Sequence, residues 1–232
     1  DPVRAKAEGR DPAGMDAETA ALFPDAFEDS PLGEIPRGWR VGTVVDLCES
    51  IANGSTPSRK RADYWVGGDI DWFKTGELND SILIASEEKI TTLGLNESSC
   101  KLWPESTVLV ALYASPTVGR LGMLSKVATA NQACSGLVAR QDIGHWYVFH
   151  AVLFERDRLQ SYAVGAAQQN ISQRVLSAHP VVVPNHVVCR RYHQLVLSLF
   201  ERVQLNLEES IALAEMRDTL LPRLMRGELV GV

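Results

Sequence analysis

Hydrophobic and polar residues alternate with two periods along this chain. Asp69-Ile70-Asp71-Trp72-Phe73-Lys74 places Ile70 and Trp72 on one face, the pattern of a half-buried strand. Residues 106–112 and 118–125 predict two further strands, separated by the small and hydroxylated turn Tyr113-Ala114-Ser115-Pro116-Thr117. Residues 41–45 form a shorter apolar run, residues 90–92 a short strand, and Val181-Val182-Val183 is a β-branched strand fenced by Pro180 and Pro184. Residues 145–159 have helical length, with Val148, Val152 and Leu159 among their apolar positions. From about Arg190 the period becomes that of one long helix. Val196, Phe200, Val203, Leu207, Ile211 and Ala214 step by three or four residues into one stripe, with Glu201, Arg202, Glu208, Glu209 and Arg217 off it. A stripe that long calls for a partner helix, unless the helix folds back on its own domain.

Residues 1–38 show little periodicity and are rich in Pro, Gly, Ala and acids. They read as an acidic linker or arm with one short helix near 16–22, pinned by Phe23 and Phe27. The fold expected is α+β in three parts: the arm 1–38, a mixed α/β domain with a small twisted sheet over 39–188, and a long helix over 189–232. The chain opens Asp1-Pro2-Val3-Arg4, without an initiator Met, as expected of a piece of something longer.

The net charge of −6 works against nucleic-acid binding until it is divided. Residues 1–40 carry 5 basic and 9 acidic side chains, whereas residues 41–190 carry 13 and 14. The central part is therefore nearly neutral and holds one basic cluster, Arg59-Lys60-Arg61. Cys48, Cys100, Cys134 and Cys189 stand singly, as reduced and mostly buried thiols. No apolar run is long enough to cross a bilayer.

Motifs for ATP, dinucleotide, serine-nucleophile and zinc-protease chemistry are absent. His186 and His193, seven apart, are a weak metal signal. One nuclease-like pattern remains: Asp69, Asp71 or Asp80 ahead of Glu87-Glu88-Lys89, where two carboxylates would hold magnesium and the lysine would stabilise charge. A solvated charged turn explains the same residues.

Several segments together resemble one family, the specificity subunits of Type I restriction-modification enzymes. They are, in the family's order, Leu32-Gly33-Glu34-Ile35-Pro36-Arg37-Gly38-Trp39, Asn53-Gly54-Ser55-Thr56-Pro57-Ser58, and Gly67-Gly68-Asp69-Ile70-Asp71-Trp72-Phe73-Lys74-Thr75-Gly76-Glu77-Leu78. Then follow Ser115-Pro116-Thr117-Val118-Gly119-Arg120-Leu121-Gly122, Asn131-Gln132-Ala133-Cys134, Gly165-Ala166-Ala167-Gln168-Gln169-Asn170-Ile171-Ser172, and the terminal 217–229 stretch. Asp71 replaces a usual Pro, and a usual Gln at the start of the helix is displaced around 188–191.

The resemblance implies a cytoplasmic, non-catalytic module without metal or cofactor. It would read one half of a split double-stranded DNA target and dock modification and restriction subunits. Arg59, Lys60, Arg61 and Lys74 are the implied phosphate contacts. Thr75, Ser115, Thr117, Arg120, Gln168, Gln169 and Asn170 are the implied readout or loop-positioning residues. The stripe Val196, Phe200, Val203, Leu207, Ile211 and Ala214 would pair with a helix from the other half of a longer subunit or from a second copy. The competing readings are the metal-dependent nuclease and a protein-binding scaffold that reads no DNA.

Overall fold

The computed structural model describes residues 1–113, 117–163 and 170–228. The arm is more structured than a linker. It holds α1 (Pro2–Ala7), α2 (Ala17–Ala21) and an antiparallel hairpin of β1 (Phe27–Ser30) and β2 (Gly33–Pro36). Asp16 caps α2 by accepting the Thr19 amide at 2.8 Å. Lys6 ties α1 to this turn by donating to the Ala20 and Phe23 carbonyls. Phe23 lies 6.2 Å from Trp39 and pins the arm to the body, whereas Phe27 lies under the Arg4 guanidinium, a contact within the arm.

The body begins with β3 (Arg40–Thr43), β4 (Cys48–Asn53), β5 (Ile70–Phe73), β6 (Ser81–Leu83), β7 (Glu88–Ile90) and α3 (Thr92–Asn96). It continues through β8 (Val108–Ala111), β9 (Leu121–Leu124), β10 (Thr129–Ala130) and β11 (Cys134–Ala139). The expected helix over 145–159 is broken at Glu155 into α4 (His145–Phe154) and α5 (Arg156–Ser161). After α6 (Gln173–Ser177) and β12 (Pro180–Val183) the chain enters α7 (His186–Met225).

A five-stranded sheet in the order β4-β11-β8-β9-β6 forms the centre, with a three-stranded sheet β10-β5-β7 beside it. β8 is the uninterrupted apolar run Val-Leu-Val-Ala, fully buried on both faces. Val108 and Val110 join the larger core with α4, whereas Leu109 and Ala111 point into a second core with Phe73, Leu78, Trp103 and Leu124. β11 crosses the middle of the sheet with a glycine against the indole of Trp103. A Cβ on Gly136 would stand 2.5 Å from that ring.

Asn185 caps α7 by accepting the Val187 and Val188 amides, each at 3.0 Å, so the helix starts three residues ahead of the expected boundary. Its 40 residues extend roughly 60 Å at about 1.5 Å per residue. α7 runs antiparallel to α4. The Tyr192 hydroxyl lies 2.9 Å from His150 Nδ1, His193 packs edge-on against His145, and Phe200 stacks on Trp146 at 3.4 Å.

These contacts revise the expected pairing stripe. Val196, Phe200 and Leu207 are turned onto the protein's own core, while Val203 and Ile211 are exposed and Ala214 is partly so. A second apolar stripe, Leu195, Leu199, Leu213, Leu220 and Leu224, is exposed instead. Leu199, Leu213 and Leu220 are separated by multiples of seven, with Leu195 and Leu224 one helical turn beyond them. The two stripes lie about 100° apart on the helix, and the domain takes only one of them.

Replacing Phe200 by Ala removes the ring stacked on Trp146. It should cost about 2 kcal/mol in urea unfolding, less than for a fully buried Phe because Phe200 keeps some exposure. Burial, followed by the neighbouring His193, pushes the His145 imidazole down to about 4. The unfolded chain therefore takes up a proton below about pH 6.5 that the folded chain refuses. Stability should fall as pH drops from about 6.5 toward 4, and a thermal-unfolding series should show this slope reduced in His145→Gln.

Candidate nucleic-acid interface

The strand registers bring specific connections to one end of the central sheet. Asn53 of β4 pairs with Ser135 of β11, Cys134 with Ala111 of β8, and Val110 with Leu121 of β9. Ser81 of β6 lies parallel beside Gly122. The segment 54–58, the turns at 75–80 and 117–120, and the link 131–133 therefore all open at this end. Two backbone bonds add the segment before Ile171: the Leu112 amide donates to Ala133 at 2.8 Å, and the Ile171 amide donates to Leu112 at 2.9 Å. The Asn131 amide donates to Phe73 at 2.9 Å, which brings the exit of β5, Lys74-Thr75, to the same place.

These connections are held by side chains. Gly54 donates its amide to Cys134, and a Cβ there would come 2.2 Å from the Ala130 carbonyl, so the backbones meet only because the residue is glycine. The Thr56 hydroxyl donates to Gln132 Oε1 across the gap. Asn131 Oδ1 accepts the Ala133 amide at 3.0 Å and closes the link into an Asx turn. Asp80, in left-handed backbone at φ 61°, accepts the Leu121 amide at 2.9 Å and forms a two-pronged pair with Arg156. Arg156 also donates to the Gly119 carbonyl at 2.9 Å. One carboxylate thus locks three segments.

Four of the seven expected readout residues meet here: Thr75, Thr117, Arg120 and Asn170. Thr75 opens the turn after β5. The Arg120 amide donates to Thr117, and its carbonyl accepts from Ala111, in the turn between β8 and β9. The Thr117 hydroxyl donates to Tyr113 at 2.9 Å. Asn170 immediately precedes Ile171. Ser115, Gln168 and Gln169 lie outside the described residues.

The expected phosphate contacts are mostly engaged already. Arg59 stacks on Trp65 at 3.6 Å and pairs with Glu88. Arg61 lies over Tyr64 and pairs with Asp63 and Glu97. Lys74 reaches Glu87 at 2.7 Å and Glu88 at 3.2 Å. The bond to Glu87 holds the Lys74 ammonium above the usual lysine range, and the bond to Arg59 holds Glu88 below the usual carboxylate range. Among the described residues, Lys60 and Arg120 make no ion pair. Sequence reasoning missed Thr56, Gln132 and the pairing of Asp80 with Arg156. All three depend on register between distant segments, and only the Asn79-Asp80 turn carried a local signal.

The nuclease constellation is divided among other partners. Asp71, 2% exposed, accepts the Ser86 amide and hydroxyl and pairs with Lys126 at 2.8 Å, with Lys89 at 3.9 Å. Burial pushes its carboxyl up, but the bonds from Lys126 and Ser86 together outweigh this and hold it below the usual range. Asp80 is held by Arg156 and Glu87 by Lys74. Among the described residues no three His, Cys, Asp or Glu side chains gather in a group that could hold a metal ion. Nor is any described helix long and apolar enough to cross a membrane.

Taken together, the fold and the site define a mixed α+β recognition-type module that gathers its connections at one end and departs through a long helix at the other. Residues 36–187 match the family model of the Type I restriction modification DNA specificity domain, and the chain belongs to that family. It is 28% identical over 224 residues to the Type I restriction enzyme HindI specificity subunit of Haemophilus influenzae, covering 92% of this chain and 48% of that protein. It is 23% identical to the MjaIX specificity subunit of Methanocaldococcus jannaschii, covering 88% and 47%. The chain therefore spans about half the length of the curated relatives it matches. The HsdS subunit from Thermoanaerobacter tengcongensis shares the fold at a TM-score of 0.54 and 17% identity over 91% of this chain and 49% of that one. The Type I restriction-modification S subunit from M. genitalium shares it at 0.57 and 14%, over 80% and 45%.

Asp80→Ala would leave the Arg156 guanidinium and the Leu121 amide without their shared acceptor. The variant should lose about 1 to 3 kcal/mol in urea unfolding. Faster amide exchange at 117–121 would accompany it, and unchanged exchange there would contradict the locking role.

Proposed function

We propose that this chain reads one half of a bipartite double-stranded DNA target for a cytoplasmic Type I restriction-modification complex, with no catalytic group or cofactor of its own. The observation that carries the reading is the gathering of the connections 54–58, 75–80, 117–120 and 131–133 at the sheet end away from which α7 runs. Sequence readout requires side chains set on a rigid frame and brought to base edges, while backbone contacts fix the register. Arg120 carries the paired donors suited to guanine, and the Asn170 amide carries the donor and acceptor suited to adenine. Lys60 is the cation most available to phosphate. Modification and restriction subunits supply the methylation and cleavage chemistry.

The long helix is the spacer. Its exposed stripe through Leu199, Leu213 and Leu220 pairs with another helix, carried by another part of the same polypeptide or by a second copy. Asn206 occupies the missing heptad position between Leu199 and Leu213, where a polar group sets register at some cost in stability.

The test is to assemble the chain with its modification subunits, crosslink it to a random duplex library and sequence the DNA recovered. A short half-site motif is expected. Lys60→Ala should weaken binding to all sequences and lower the salt slope by about 0.9. Arg120→Ala should relax discrimination at one base position by roughly tenfold. Recovery of random sequence from a properly assembled complex would favour the scaffold reading.

A further inference from the structure

Lys74 and Arg59 are already paired and must exchange partners before they can bind phosphate, and the acids that hold them are themselves held in place. Glu77 accepts the Lys74 amide at 2.7 Å with one carboxylate oxygen and the Glu87 amide at 2.8 Å with the other. This staple fixes the start of β7 against the exit of β5, where Glu88 pairs in register with Trp72. Glu87 then reaches Lys74, and Glu88 reaches both Lys74 and Arg59. The Glu87 side chain is 71% exposed, and Lys74 is its ion-pair partner among the described residues. An ion pair so exposed adds little to folding stability. Its consequence lies in what it does to an approaching polyanion.

We propose that Glu87 and Glu88 act as internal competitors for the DNA backbone, occupying Lys74 and Arg59 in the free protein and lowering its affinity for DNA of any sequence. The inference rests on the DNA-reading function proposed above. Non-specific binding is driven by cations that neutralise phosphates and release counterions. A lysine already neutralised by a carboxylate must lose that partner to gain a phosphate, and the freed carboxylate then faces the DNA. Non-target DNA, which offers phosphates and no matched base contacts, meets this cost with nothing to offset it. Glu87 and Glu88 are two of the 14 acidic residues that offset 13 basic ones over 41–190.

The experiment measures the complex assembled with its modification subunits, using the duplex recovered in the selection and a scrambled duplex over a range of salt. Glu87→Gln keeps the backbone bond to Glu77 and removes the charge. Scrambled-duplex binding should tighten roughly fivefold, with the salt dependence steeper by about 0.9. Glu209→Gln, on the exposed face of α7, should change neither quantity. Adding Lys74→Ala to Glu87→Gln should remove the tightening and return binding to about the wild-type level, because the freed cation is gone. If the wild-type complex prefers the recovered duplex but Glu87→Gln binds the scrambled duplex no more tightly, the competition is overturned and the reading function stands. If the wild-type complex does not distinguish the two duplexes, the reading function fails and the competition falls with it.

Discussion

Everything at the candidate interface depends on the antiparallel pairing of β8 with β11 in the middle of the sheet. Cys134 opposite Ala111 sets where β8 stops and β11 starts. The next backbone bond, from Leu112 to Ala133, closes the end, and the bond from Ile171 to Leu112 brings in a segment nearly 60 residues further on. A register slip would send Val108 and Val110 to the wrong core and scatter these connections. The two cores, one on each face of β8, make such a slip costly. The same burial that stabilises the fold therefore positions the interface.

The opposite end of the sheet serves the helix. Leu197, Glu201 and Gln204 of α7 border one cleft with Glu105, Ser106 and Ser125, beside the strand ends farthest from the gathered connections. Arg191 reaches back to Thr19 at 2.7 Å and Asp16 at 3.0 Å, so the arm and the helix are fastened to each other as well as to the body. Thr19 holds the Asp16 carboxyl down, with Arg191 assisting, to about 2. One end of the domain is thus left open for the proposed reading, and the other fixes the direction in which the helix leaves.

Strands with strong patterns were legible in the sequence. β8 is a solid apolar run, β12 is fenced by prolines, and β5 carries aromatic and aliphatic residues. β4 and β11 were not singled out, because Cys-Glu-Ser-Ile-Ala-Asn and Cys-Ser-Gly-Leu-Val-Ala contain small residues that neither alternate clearly nor favour strands. Their pairing is decided by packing, as Gly136 shows beneath Trp103. The long helix was legible, but the face it gives its own domain was not. Its two apolar stripes lie side by side, and only the position of Trp146 selects the one through Phe200. The candidate readout residues Thr75, Thr117, Arg120 and Asn170 came from motif resemblance, whereas the carboxylates around them, Asp80, Glu77, Glu87 and Glu88, act through contacts that only the folded chain reveals.

Site-specific photocrosslinking distinguishes a reading end from a pairing helix. A photoreactive residue would be placed at Gln132 or at Leu213 in the subunit assembled with its modification subunits and duplex DNA. DNA adducts are expected from position 132 and protein adducts from position 213. DNA adducts from position 213 with none from position 132 would contradict this division.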